Sequence, residues 1–188
     1  MTGRELSLTT KSDLVVRDLD LLCAISRANK LYVNITVTSL KAGLARELEP
    51  LAPRPDLRLG ALRQLRAAGV NAGLLCCPIL PLINDSEKDL DALAAAAAQA
   101  GAQYMAANVV FLNSSARETF FTFLEQRFPH LAGRYRKRFA HGAYLRGDYP
   151  QRMAALFRRI RARHGLVSRF PDQLPPKWPE EPQLLLPF

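Results

Sequence analysis

Three cysteines and three histidines in 188 residues leave little from which to build a metal centre or a nucleophilic triad. Cys76 and Cys77 are adjacent and Cys23 stands alone, so neither a metal-ligand spacing nor a disulfide framework is legible. Reduced thiols suit a cytoplasmic protein. His130, His141 and His164 all lie in the C-terminal part, far from any elbow-like serine, and neither a P-loop nor a GxGxxG occurs. No apolar run reaches the ~18 residues of a membrane span, and the charged start MTGRELS lacks the apolar centre of a signal peptide. The expectation is a cytoplasmic chain without a membrane partner. At 188 residues it is one well-buried domain, short of the ~250 of a closed eight-stranded barrel.

Acid is also in short supply. Against 26 Lys and Arg stand 17 Asp and Glu, a net charge of +9. Most of the excess falls in the last third, in a tract (134–163) that opens at Arg134 and closes at Arg163. Tyr135, Phe139, Tyr144 and Tyr149 are interleaved with it. Basic residues release condensed counterions from phosphates, so this tract is a candidate nucleic-acid face; the alternative is a set of solvated arginine-rich helices.

What the chain does have is a stretch that organises the rest, VNAGLLCCPILPLINDSE (70–87). It follows a helical segment closing at Gly69 and runs apolar over 72–80, which predicts a strand buried on both faces of a parallel sheet. Asp85, Ser86 and Glu87 place acceptors at the start of the next helix, 89–100. The same alternation recurs throughout. Strands are predicted at LSLTT, at 31–37, at 72–80 and along AQYMAANVVFLN. Helices are predicted over 13–29 with Leu14, Leu21, Leu22 and Ile25 inward, in LKAGLARELEP, over 57–68, over 89–100, and after the candidate caps Ser114 and Ser115.

The fold class is therefore α/β: a partial (β/α) barrel of about four parallel strand–helix units over 1–128, a basic helical extension over 129–169 packed on it, and a Pro-rich tail over 170–188. Chemistry in such folds collects where strands end. Lys11 follows the first strand, Thr36 and Thr38 end the second, and Cys77 with Asn84 follows in the third. A cation, two hydroxyls and a close backbone approach suit an amino-acid carboxylate and a ribose. Each residue also has an ordinary structural reading, and no catalytic residue or metal ligand is assigned.

Four segments carry a family resemblance: TKSDLVVRDLDLL (10–22), NITVTSL (34–40), RELEPLAPRPDLRLGALRQLRAAGV (46–70) and GLLCCPILPLINDSE (73–87). With looser agreement to about residue 168, the chain resembles the C-terminal portion of radical S-adenosylmethionine proteins related to spore photoproduct lyase, the DNA repair photolyase-like group. The ELEP-xAPxP-xxR block followed by PILPLIND is the most specific part. The resemblance implies an incomplete barrel, S-adenosylmethionine and a [4Fe–4S] cluster as cofactors, lyase chemistry begun by a 5′-deoxyadenosyl radical, and a nucleic-acid substrate. It implies Lys11 at the cofactor's carboxylate, Thr36 on its methionine moiety and Cys77 facing its ribose.

The chain departs from that pattern in lacking CxxxCxxC and the strands that precede TKSD in relatives. The expectation is a fragment that is inactive alone, its N-terminal half supplied in trans or by a full-length chain. The alternatives are a non-catalytic nucleic-acid-binding module on a degenerate barrel, and a pocket for another carboxylated or phosphorylated small molecule.

Overall fold

Short β-branched runs separated by helix-length amphipathic segments favour parallel pairing, because a parallel neighbour needs a long crossover, usually a helix. The computed structural model, which describes residues 4–168, has that arrangement: one sheet of four parallel strands in the order β1-β2-β3-β4. The strands are β1 (Glu5–Thr10), β2 (Lys30–Thr36), β3 (Ala72–Ile79) and β4 (Met105–Val109). The helices are α1 (Leu19–Ala28), α2 (Ala42–Leu48), α3 (Pro55–Ala67), α4 (Glu87–Gln99), α5 (Ser114–Arg127), α6 (Pro129–Arg138) and α7 (Tyr149–Arg163). This is a partial β/α barrel. The Pro-rich tail expected over 170–188 lies outside the described residues. Among the described residues no helix is long and apolar enough to cross a membrane.

One sheet face is covered by helices. Leu31, Val33 and Ile35 of β2, Ala72, Leu74 and Cys76 of β3 and Met105 of β4 are buried there with Leu62 and Leu65 of α3 and Leu90, Leu93, Ala94 and Ala97 of α4. Helix α7 adds Met153, Leu156, Phe157 and Ile160 to this same core. A second cluster joins Leu80, Val110 and Leu112 to Leu124 of α5 and Leu131, Tyr135 and Phe139 of the α6 region.

The other face is only partly covered. Strand alternation and register put Ser7 and Thr9, Tyr32, Asn34 and Thr36, Gly73, Leu75 and Cys77, and Ala106 and Asn108 on it. The expectation that β3 is buried on both faces is thus corrected: on this side Leu75 and Cys77 are half-buried. Tyr104 crosses this face, and a Cβ on Gly73 would lie 2.5 Å from its ring, so only glycine fits beneath it. The Tyr104 hydroxyl donates to Asn34 Oδ1 at 2.6 Å. Asn34 Nδ2 in turn shares its protons among Ser7 Oγ, Leu8 O and Thr9 Oγ1, at 3.0, 3.2 and 3.3 Å. Burial pushes the Tyr104 phenol up to about 12, with a smaller contribution from Tyr32.

Local signals were obeyed unevenly. Gly69 takes φ +82° where α3 closes, as its position predicts. The single helix expected over 13–29 is instead a 3₁₀ helix, Asp13–Asp18, capped by Ser12 and followed by α1. Three residues per turn put the two pieces out of phase. Leu14 and Leu21 consequently sit 67% and 58% exposed, while Val15, Leu19, Leu22, Cys23 and Ile25 meet the core. Asn113, rather than Ser114 or Ser115, holds the N-cap position of α5. Ser86 does cap α4, accepting from the Asp89 amide at 3.2 Å.

Candidate functional site

Parallel strands bring their C-terminal ends to one rim. Lys11 follows β1 directly, Thr36 is the last residue of β2, Thr38 comes two residues later, and Cys77 lies two residues before β3 ends. The structure therefore places all four predicted residues at or just past the C-terminal ends of three consecutive strands. Their links run mostly through residues that were not predicted.

The central one is Arg58, on the apolar stripe of α3 it shares with Leu62 and Leu65, and only 1% exposed. Its Nε donates to Pro53 O at 2.7 Å, and its Nη1 donates to Thr36 O at 3.0 Å. Nη1 also donates to Glu49 Oε2, while Glu49 Oε1 stands 3.6 Å from the Lys11 ammonium. A buried guanidinium is tolerable only beside a counter-charge. Glu49 supplies that charge and turns its other oxygen to Lys11. The ELEP-xAPxP-xxR block is thus the inner bracing of this rim.

Thr38 is buried, and its hydroxyl has no hydrogen-bond partner among the described residues; the same holds for Arg58 Nη2. The Thr38 carbonyl accepts from Asn84 Nδ2 at 3.2 Å. Asn84 also donates to Pro78 O at 3.2 Å and accepts from the Leu80 amide at 2.6 Å. The ligand-facing expectation for Asn84 is therefore corrected: its amide is consumed in fastening the loop after β3 to the end of β2.

Burial pushes the Cys77 thiol up, opposed in part by a hydrogen bond from the Asn108 backbone. Cys76, inside the core, is pushed up further by burial, with Cys77 and Glu49 adding to it. Neither thiol is prepared as a thiolate nucleophile or metal ligand. Among the described residues no group of His, Cys, Asp and Glu could hold a metal ion. A [4Fe–4S] cluster does not fit this residue set.

Beside the rim lies a second feature. The loop after β3 is clamped from the C-terminal helices. The Tyr135 hydroxyl donates to Pro81 O, and the Tyr149 hydroxyl donates to Asp85 Oδ2, both at 2.8 Å. Asp85 Oδ1 also accepts from the Leu82 amide at 2.8 Å, in a turn where Leu82 takes φ +66°. Burial raises both phenols, and the Asp85 carboxylate raises them further. Against Leu82 opens a cavity of about 610 Å³ lined by Arg134, Lys137, Arg138, His141, Arg146 and Gly147. Arg134, Lys137, Arg138 and Arg146 are exposed and have no carboxylate partner among the described residues.

The basic tract is not uniform. On α7, Arg159 pairs with Glu87 at 3.5 Å, Arg163 pairs with Asp91 at 2.6 Å, and Arg161 donates to Met105 O at 3.4 Å. Those arginines hold α7 against α4 and β4. The interleaved aromatics also divide. Tyr135, on the inner face of α6, and Phe139, at its C-cap, are fully buried, so they are no stacking platform. Tyr144 is exposed and stacks on the exposed Phe111 at 5.8 Å between ring centroids.

The fold defined by these elements resembles about half of spore photoproduct lyase. That enzyme, complexed with dinucleoside spore photoproduct, superposes with a TM-score of 0.62 over 87% of this chain and 50% of that chain, at 20% identity. A double mutant of it with bound AdoMet and dinucleoside spore photoproduct gives the same TM-score of 0.62 at 20% identity, over 88% of this chain and 51% of that one. By sequence, the chain is 32% identical over 164 residues to an uncharacterized protein of Mycobacterium tuberculosis, covering 85% of this chain and 48% of that one. An uncharacterized protein of Methanocaldococcus jannaschii is 31% identical over 128 residues, covering 66% and 44%. The chain spans about half the length of these curated relatives. No family model matches it.

Proposed function

We propose that this chain forms the cofactor-carboxylate and substrate side of a radical S-adenosylmethionine protein of the spore photoproduct lyase type, acting on nucleic acid. The observation that carries this reading is the rim itself: Lys11, Thr36, Thr38 and Cys77 at the ends of consecutive strands, in a fold shared with a lyase solved with AdoMet. S-adenosylmethionine, when bound, would present a methionine carboxylate and, across its sulfonium, the ribose of an adenosyl group. Lys11 holds that carboxylate, Thr36 and Thr38 offer hydroxyls to the amino-acid part, and Cys77 leaves room for the ribose. No cluster ligand is assigned among these 188 residues. The cavity around Arg134, Lys137, Arg138 and Arg146 takes substrate phosphates, with Phe111 and Tyr144 as an exposed aromatic pair nearby.

A second reading is a nucleic-acid-binding module without radical chemistry. It is favoured by the uncompensated basic cavity together with thiols unsuited to a cluster.

Two measurements separate them. Saturation-transfer NMR with AdoMet should show binding that Lys11→Ala abolishes. Anisotropy of a labelled DNA duplex and of its single strand should show salt-dependent affinity. Replacing Arg134, Lys137 and Arg138 together by Ala should lower the log–log salt slope by about 2–3. Nucleic-acid binding without AdoMet binding selects the second reading, and failure of both measurements removes both.

A further inference from the structure

We infer that Glu49 and Arg58 are positioning residues for the rim, acting through the Lys11 ammonium and the Thr36 backbone; this rests on the reading that Lys11 receives a ligand carboxylate. The chain of contacts is short. Arg58 is anchored on α3 and fixed by Pro53 O and Thr36 O, so its guanidinium cannot swing. Glu49 is anchored to Arg58 by Oε2, which sets where Oε1 lies. Lys11 is half-exposed on a long stem with no other ion-pair partner among the described residues, and Oε1 is what biases it toward the end of β2.

The spacing of that last contact matters. At 3.6 Å, Glu49 attracts Lys11 without holding it in a hydrogen bond. An incoming carboxylate can take the ammonium directly, with no bond to break first. The charge count points the same way. Lys11 and Arg58 bring two positive charges against one negative charge from Glu49, so the trio has room for one further anion. Two buried polar atoms at the same end of β2, Thr38 Oγ1 and Arg58 Nη2, have no partner among the described residues. Buried donors and acceptors are rarely left so, and a polar ligand at the rim would engage them.

A purely structural Arg58–Glu49 pair would brace α3 against β2 and leave Lys11 indifferent. The experiment separates the two. Lysine acetylation by a soluble N-hydroxysuccinimide ester, quantified by mass spectrometry, reads the freedom of the Lys11 amine, with Lys88 as internal reference. Glu49→Gln removes the counter-charge. The pair Glu49→Gln with Arg58→Met removes both ions at similar volume, and such replacements of buried pairs are commonly tolerated where the single change is not. In the double variant, Lys11 labelling relative to Lys88 should rise about two- to fivefold, the range expected for release of an exposed ion pair. AdoMet affinity should fall about tenfold while cooperative melting is retained. A folded double variant with wild-type labelling at Lys11 overturns the inference. Failure of the wild-type chain to bind AdoMet instead removes the reading of Lys11 as a carboxylate site, whatever the labelling shows.

Discussion

Asp91, on α4, is the hinge of the contact between α4 and α7. It meets His164 Nε2 at 3.0 Å and accepts from Arg163 at 2.6 Å. The hydrogen bond with His164, then that with Arg163, holds its carboxyl below the ordinary value. A carboxylate depressed on folding stabilises the native state above its unfolded pKa of about 3.9 and loses that contribution as pH falls through the folded value. Asp91→Asn should therefore melt below the wild type near neutrality, and the gap should close as pH falls below about 4. Thermal melts across that range test this, and a gap independent of pH would refute the assignment. The strand ends that carry Lys11, Thr36, Thr38 and Cys77 were legible at this scale, because a strand end is a place that sequence can mark. Glu49 and Arg58 were not read as site residues, although a signal existed: an arginine standing where the α3 stripe of Leu62 and Leu65 calls for an apolar side chain. Tertiary pairing, which sequence spacing does not carry, is what made that arginine tolerable.

At the scale of elements, parallel pairing followed from alternation, since each apolar run was separated by a helix-length segment. The miss over 13–18 arose because a 3₁₀ turn and an α turn offer the same short apolar spacing, and only docking decides between them. The loop between β3 and α4 shows how much a turn residue can carry. Asn84 is buried and makes hydrogen bonds to Thr38 O, Pro78 O and the Leu80 amide. Asn84→Ala would strand those groups at a cost of about 1–3 kcal/mol, more than the loss of one exposed bond. A shift of the urea midpoint with unchanged slope should report it. A neutral result would mean that water replaces the amide, and that the two strand ends are not fastened through this side chain.

For the whole molecule, the decisive fact is a sheet with one finished face and one unfinished one. Among the described residues strand β1 pairs with β2 alone, and its Leu6 and Leu8 are 40% and 36% exposed. Such an edge invites pairing with another chain. The 188-residue chain should associate with rising concentration in sedimentation velocity, and Leu8→Lys should shift it toward the monomer. Wild-type sedimentation independent of concentration would contradict this. Length and charge announced an incomplete barrel with a basic end. They did not announce that α7 belongs to the main core, because its arginines masked the apolar stripe Met153, Phe157 and Ile160. Asn34 gives this edge a particular character. Its amide stitches Ser7, Leu8 and Thr9 down from the open side, so the outermost strand is hemmed and does not fray. A chain laid alongside would meet a fixed row of amides and carbonyls, and docking there would carry little cost for ordering the host.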